Sequence, residues 1–264
     1  MFDSLFDTPL AIAGLVIIGT LCLFTVIGLA TVRRFILPRL RVDIEDSEYA
    51  GAMLQSVMVF YGLAVALMAV SVSQTYSDVS KTLSGEATDI AALYRDVSGY
   101  PEPIRTRLQS ELRDYTDQII HGAFPLMAKG KMPTAGVQYM NRFQGILIAF
   151  EPGTEGQKLL HAETLRAYNV FIQSRRQRLD AVNTGLPGVM WLVVIAGAFI
   201  GLSASFFFKV EDARVQGIHS LLLAMFIGLV IFMIFAMDRP FRGDLALGPG
   251  PYQLIYEQLM RSSP

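Results

Sequence analysis

Four long apolar runs dominate the pattern along the chain: Pro9 to Val32, Ala50 to Ser73, Leu186 to Phe208 and Gly217 to Met237. Crossing the hydrocarbon of a bilayer takes about 20 apolar residues at 1.5 Å rise each. None of the four runs contains Asp, Glu, Lys or Arg, so each is predicted to be a transmembrane helix. Residues before Pro9 carry two aspartates and no basic side chain, which marks the first run as a retained helix rather than a secretory signal. Polar connections from Arg33 to Tyr49 and from Lys209 to Gln216 are short. They make the first and second spans, and the third and fourth, antiparallel neighbours.

Between the two pairs the polarity rises. Ile104, Leu108, Leu112, Tyr115 and Ile119 recur at helical spacing behind a break at Tyr100-Pro101-Glu102-Pro103. A second break runs from Pro125 to Pro133, and a third helix ends at Glu151-Pro152-Gly153. Leu159, Leu165, Tyr168, Ile172, Leu179 and Val182 then mark a long helix leading toward the third span. No alternating strand pattern occurs. The predicted fold is therefore all-α: spans one and two over residues 1–73, an extramembrane helical domain over 74–185, spans three and four over 186–237, and an interfacial tail over 238–264.

The second span carries the most informative stripe. At about 100° per residue, Gly51, Gln55, Val59, Gly62, Ala66, Ala69 and Ser73 fall near one line, and Ser77, Ser80, Ser84, Ala87 and Ala91 continue it. No proline lies between Arg39 and Pro101, so one helix is expected to cross the membrane and project from it. Small residues on a line can serve close helix packing. They can equally line a water-filled conduit, where Gln55 and a row of serines are not left facing lipid. Both readings stand at this point, with Gln55, Val59, Gly62, Ala66, Ser73 and Ser77 as the candidate pore-lining set. On the third span, Gly197, Gly201 and Ser205 form a second ladder among bulky neighbours, which reads as packing. Arg239 and Arg242 follow the last span, either as interfacial anchors or as fixed charge at a pore mouth.

Composition sharpens this picture by exclusion. The chain is 52% hydrophobic and 17% charged, with a formal net charge of −1. That offers no basic footprint for nucleic acid. Cys22 stands alone and cannot form an internal bridge. Spans without Asp, Glu, Lys or Arg argue against a proton pump or ion-coupled carrier. His121, His161 and His219 are far apart, without metal spacing or a catalytic motif, so no enzyme, metal or cofactor is expected. Glu86, Asp89 and Asp96 read as a solvated helix face. Basic residues near the span ends divide six against seven between the two sides. The four arginines after the first span, with none before it, favour an outside N-terminus and an extracytoplasmic domain.

At Tyr76-Ser77-Asp78, Glu86-Ala87 with Ala92-Leu93-Tyr94-Arg95, Tyr100-Pro101 with Leu108, Leu112 and Tyr115, and Asp238-Arg239-Pro240-Phe241, the chain resembles the bacterial bestrophin-like family. The resemblance implies a homo-oligomeric ion channel lined by its second helix. It also implies a cytosolic middle domain, against the lean from charge. Two departures stand out. Phe60 and Tyr61 are the only aromatic residues of the second span, so the neck of stepped bulky side chains seen in bestrophins is not recognisable. Only Asp238 and Asp244 represent the acidic run with which animal bestrophins bind calcium.

The resulting expectation is an ion channel of the bacterial inner membrane, formed by four or five copies and passing small inorganic anions. Its partners are the lipid bilayer, further copies of itself and those ions. The competing reading is a non-conducting membrane scaffold or sensor whose helical domain binds a ligand or partner.

Overall fold

The computed structural model describes residue 6 and residues 8–40, 44–207 and 212–261, with side chains left undescribed at 40, 44–50 and 52–54. Arg41, Phe208 and Lys209 lie outside the described residues. Those that are described form helices and no strands. Helix α1 (Leu10–Thr31) runs through a π turn, Val32–Ile36, into Leu37–Leu40, and α2 spans Ile44–Val97 without interruption. The single long helix expected from the missing prolines is present. After it come α3 (Ile104–Gln118, extended by the π turn Ile119–Ala123 and by Phe124–Met127), α4 (Gly136–Ile148) and α5 (Glu155–Asp180). Helices α6 (Gly188–Ser205) and α7 (Ala213–Asp238) precede a final short helix, α8 (Gly250–Ile255), which ends in a π turn at Tyr256–Met260.

Two compact units result. The first comprises residues 1–75 and 185–238, and the second residues 76–184 and 239–264. Helices α1, α6 and α7 and the corresponding part of α2 are each long and apolar enough to cross a membrane. In the first unit α7 lies on α1, where a Cβ at Gly228 would stand 3.1 Å from the Ile18 Cα. Helix α6 meets α1 through an edge-on pair of rings, Phe24 and Phe199, 4.7 Å apart. In a bilayer such contacts depend on close van der Waals packing, which glycine permits.

Gly197 and Gly201 of the predicted ladder form the seat of α2. A Cβ at Gly197 would collide with the Tyr61 ring and one at Gly201 with the Met58 sulfur. The Tyr61 hydroxyl donates to the Val194 carbonyl at 2.8 Å. Asp238 closes the unit by accepting from the Leu186 amide at 2.6 Å and from the Trp191 indole at 3.2 Å. The carboxylate thereby satisfies a backbone amide just before α6 and an indole donor in its first turn.

Around one apolar core in the second unit gather Leu83, Ile90 and Leu93 from α2, Leu108, Leu112 and Tyr115 from α3, and Phe143 and Leu147 from α4. Phe171 of α5 and Tyr252 of α8 complete it. A capping box starts α5: the Gln157 amide donates to the Thr154 hydroxyl at 3.2 Å, and the Thr154 amide to the Gln157 side chain at 3.3 Å. Two details differ from the sequence reading. Leu159, one of the apolar positions that mark the long helix, lies on α5 yet is 75% exposed, because it is off the Thr164–Tyr168–Phe171–Arg178 face that α5 buries. The expected break at Pro125 begins only after Met127: Pro125 occupies the first turn of a short helix, where its missing N–H is not needed.

Candidate functional site

The exposed part of the stripe on α2 lies beside the face that α2 uses within its own chain; Ala69 belongs to both, and Ala87, farther along, is buried in the core of the second unit. Val65 and Val72 are buried, with Met58, Tyr61, Met68 and Ala69 packed against the same cluster. Met58, Tyr61, Val65, Met68 and Val72 define that packed face. Gln55, Val59, Gly62, Ala66 and Ser73 lie about 100° around the helix from its centre, by the 3.6-residue period, and all five are exposed in the single chain. Nothing approaches within 4 Å of a Cβ placed on Gly62. Ser77, the sixth candidate, belongs to the second unit and is also exposed. Only 11% of the α2 span is buried, against 39% for α7. Of the four, it is the one least covered by its own chain.

A second constellation was not foreseen. Glu86, read from sequence as part of a solvated face, is fully buried. The Arg178 guanidinium donates to both of its oxygens, at 2.6 and 3.2 Å. The hydroxyls of Tyr115 and Tyr252 also donate to Glu86, at 3.2 and 2.8 Å. Arg178 reaches the Tyr115 oxygen at 3.3 Å and the Met127 sulfur at 3.7 Å. Burial is the largest influence on Arg178 and opposes its charge, but the Glu86 carboxylate together with Tyr115 and Tyr252 more than offsets it and the arginine pKa rises. Burial also raises the Tyr115 and Tyr252 pKa values, and Glu86 beside them adds to the rise. Four helices meet in this cluster, which acts as a polar clasp inside an apolar core.

A signal for Glu86 did exist. Val79, Leu83, Glu86, Ile90, Leu93 and Val97 follow one another at steps of three and four, and all are buried. A carboxylate in such a stripe faces the core and requires a cation. Its neighbour Asp89 accepts from Ser174 at 2.5 Å.

Arg239 and Arg242 both lie in the second unit. Arg239 directs Nη1 to the carbonyls of Asn183 and Thr184, each at 3.5 Å. The Arg242 side chain passes over Gly130. Among the described residues no group of His, Cys, Asp and Glu is arranged to hold a metal ion. Tyr100 pairs His161 at 2.8 Å, and Asp117 pairs His121 at 3.0 Å.

A family profile described as the bestrophin-like domain matches residues 19–252. The chain belongs to the bestrophin-like family. No curated protein matches this bestrophin-like sequence. Among solved structures it is similar to a bacterial bestrophin homolog from Klebsiella pneumoniae that carries a point mutation, with a TM-score of 0.67. The match covers 95% of this chain and 99% of the other at 9% sequence identity, so what the two share is the all-α bestrophin fold. The bestrophin-like chain is accordingly a membrane protein.

Proposed function

We propose that this bestrophin-like protein is the subunit of a homo-oligomeric ion channel, with α2 lining the pore and small anions as the permeant species. One observation carries the reading. Gln55, Val59, Gly62, Ala66 and Ser73 are left uncovered by their own chain, while the neighbouring face of the same helix, Ala69 included, makes the intramolecular contacts. A carboxamide at Gln55 and the hydroxyl at Ser73 facing lipid would leave hydrogen-bonding groups unmet, at a cost of roughly a few kcal/mol for the carboxamide. Around a symmetry axis the same groups meet water instead. No carboxylate lies on the membrane part of the stripe, so nothing there repels an anion, and selection would rest on width and hydroxyl or amide dipoles. The family relationship supports a channel in general terms.

The test is cysteine substitution at Gln55, Val59, Gly62, Ala66 and Ser73 in a background with Cys22 replaced. These positions should react with a water-soluble thiol reagent in liposomes, and the reaction should change anion flux. Labelling confined to Val57 and Phe60, which are 55% and 73% exposed on the other side, would place the pore elsewhere. Absence of flux from the unmodified protein under all salts and voltages would favour the scaffold, with the stripe buried against a neighbouring copy.

A further inference from the structure

In the second unit, three points of the chain that lead to the spans come together. The Tyr76 hydroxyl donates to the Leu245 carbonyl at 2.8 Å, three residues past the end of the second apolar run at Ser73. Arg239, next to the last residue of α7, reaches the carbonyls of Asn183 and Thr184, the last residues before the chain enters the third span. The loop 239–247 is therefore tied to the end of this unit from which the chain passes into the membrane helices. The Arg242 side chain from that loop lies on the turn between α3 and α4: a Cβ at Gly130 would be 3.7 Å from both its Cδ and Nη1.

That turn is rigid. Gly130 has φ of +67°, a left-handed conformation that closes a helix end at little cost for glycine. The amides of Lys129 and Lys131 both donate to the Leu126 carbonyl, at 3.0 and 2.9 Å, and the Gly130 amide to Met127 at 2.8 Å. Met127 is fully buried and anchors the turn in the core. Lys129 and Lys131 are exposed, and among the described residues neither has an ion-pair partner. Beside them Leu126, Met132 and, in the facing loop, Leu245 are 37%, 43% and 44% exposed. Asp244 is the one carboxylate in these two loops.

Apolar side chains interleaved with cations suit the headgroup region of a bilayer, where phosphates meet the ammonium and guanidinium groups and the apolar tips enter the acyl boundary. We propose that Lys129, Lys131 and Arg242, with Leu126, Met132 and Leu245, form a docking surface for anionic phospholipid headgroups. Charge complementarity and the tie to the chain's membrane crossings select lipid as the occupant. The proposal holds whether or not the protein conducts.

The experiment uses the full chain with Cys22→Ser and Met132→Cys, carrying an environment-sensitive fluorophore at 132, in phosphatidylcholine liposomes with or without a quarter of phosphatidylglycerol. Quenching by spin-labelled lipid should be about twofold stronger with the anionic lipid, in line with the attraction of surface lysines to such membranes. Lys129→Glu with Lys131→Glu should remove that difference without lowering the melting temperature. A label at Leu159→Cys should show no lipid quenching. If aqueous iodide quenches the 132 label as well in liposomes as in detergent, the surface does not meet the bilayer. Lipid quenching that ignores the headgroup would reduce the contact to an apolar one and overturn the proposal. Protection from both lipid and iodide would show a protein surface there, and would overturn it too.

Discussion

Arg178 places Nε 2.6 Å from Glu86 Oε2, with 2% and 0% of the two side chains exposed and the two residues 92 positions apart in the chain. Desolvating two charges offsets much of their attraction, so the pair contributes little net stability over an apolar replacement. What it imposes is a penalty for separation. An arrangement that moved α5 away from α2 would leave an unpaired charge in the core.

From this follows a mutational asymmetry. Arg178→Met is expected to destabilise the protein by about 3–5 kcal/mol, because Glu86 remains buried without its cation. The double variant Glu86→Leu, Arg178→Met should recover most of the loss. Thermal unfolding of the two variants in one detergent measures both. A double variant no more stable than the single one would show that the tyrosine contacts, not the charge pair, hold the clasp.

The same cluster sets a response to alkali. Tyr115 and Tyr252 have folded pKa values raised by burial first and by Glu86 second. Below about pH 10 both are protonated in folded and unfolded chains alike, so their contribution is constant. Above it the unfolded chain releases protons that the folded one retains. Stability is then lost as pH rises through the raised values. The melting temperature should fall steeply above about pH 10, and Tyr115→Phe with Tyr252→Phe should flatten that fall.

Glycines on two helices should behave in opposite ways. Gly201→Leu would drive a side chain into Met58 and should reduce the yield of folded protein sharply, since overpacking costs about 1–3 kcal/mol or more. Gly62→Leu meets nothing within 4 Å in its own chain. It should leave the stability within about 0.5 kcal/mol of wild type while altering ion flux, if the stripe faces a pore. Size-exclusion and liposome flux assays on both variants compare the two effects.

Asp238→Ala removes the acceptor for the Leu186 amide and the Trp191 indole. A loss of about 1–3 kcal/mol is expected from leaving buried donors unsatisfied. Trp191 is the only tryptophan, so its fluorescence should change in the folded variant. An unchanged spectrum would mean that the indole keeps a comparable partner.

Apolar run length, proline placement and residue size were local properties, and they determined the four spans, the unbroken α2 and the glycine ladder of α6. Those features obey constraints that act within one helix or against any neighbour: backbone groups must be satisfied in lipid, and close approach needs small side chains. Pairing is not local. Glu86 could be placed in an apolar stripe from its spacing, but no rule of spacing selects Arg178 over the adjacent Arg175 and Arg176 as its partner. Only the docking of α5 on α2 made that choice, because a buried carboxylate accepts whichever cation the packing brings within 3 Å. Tyr252 joined the core for the same reason, drawing the tail into the second unit. Gly130 and Arg242, 112 residues apart, met only because the buried Met127 holds their turn in place.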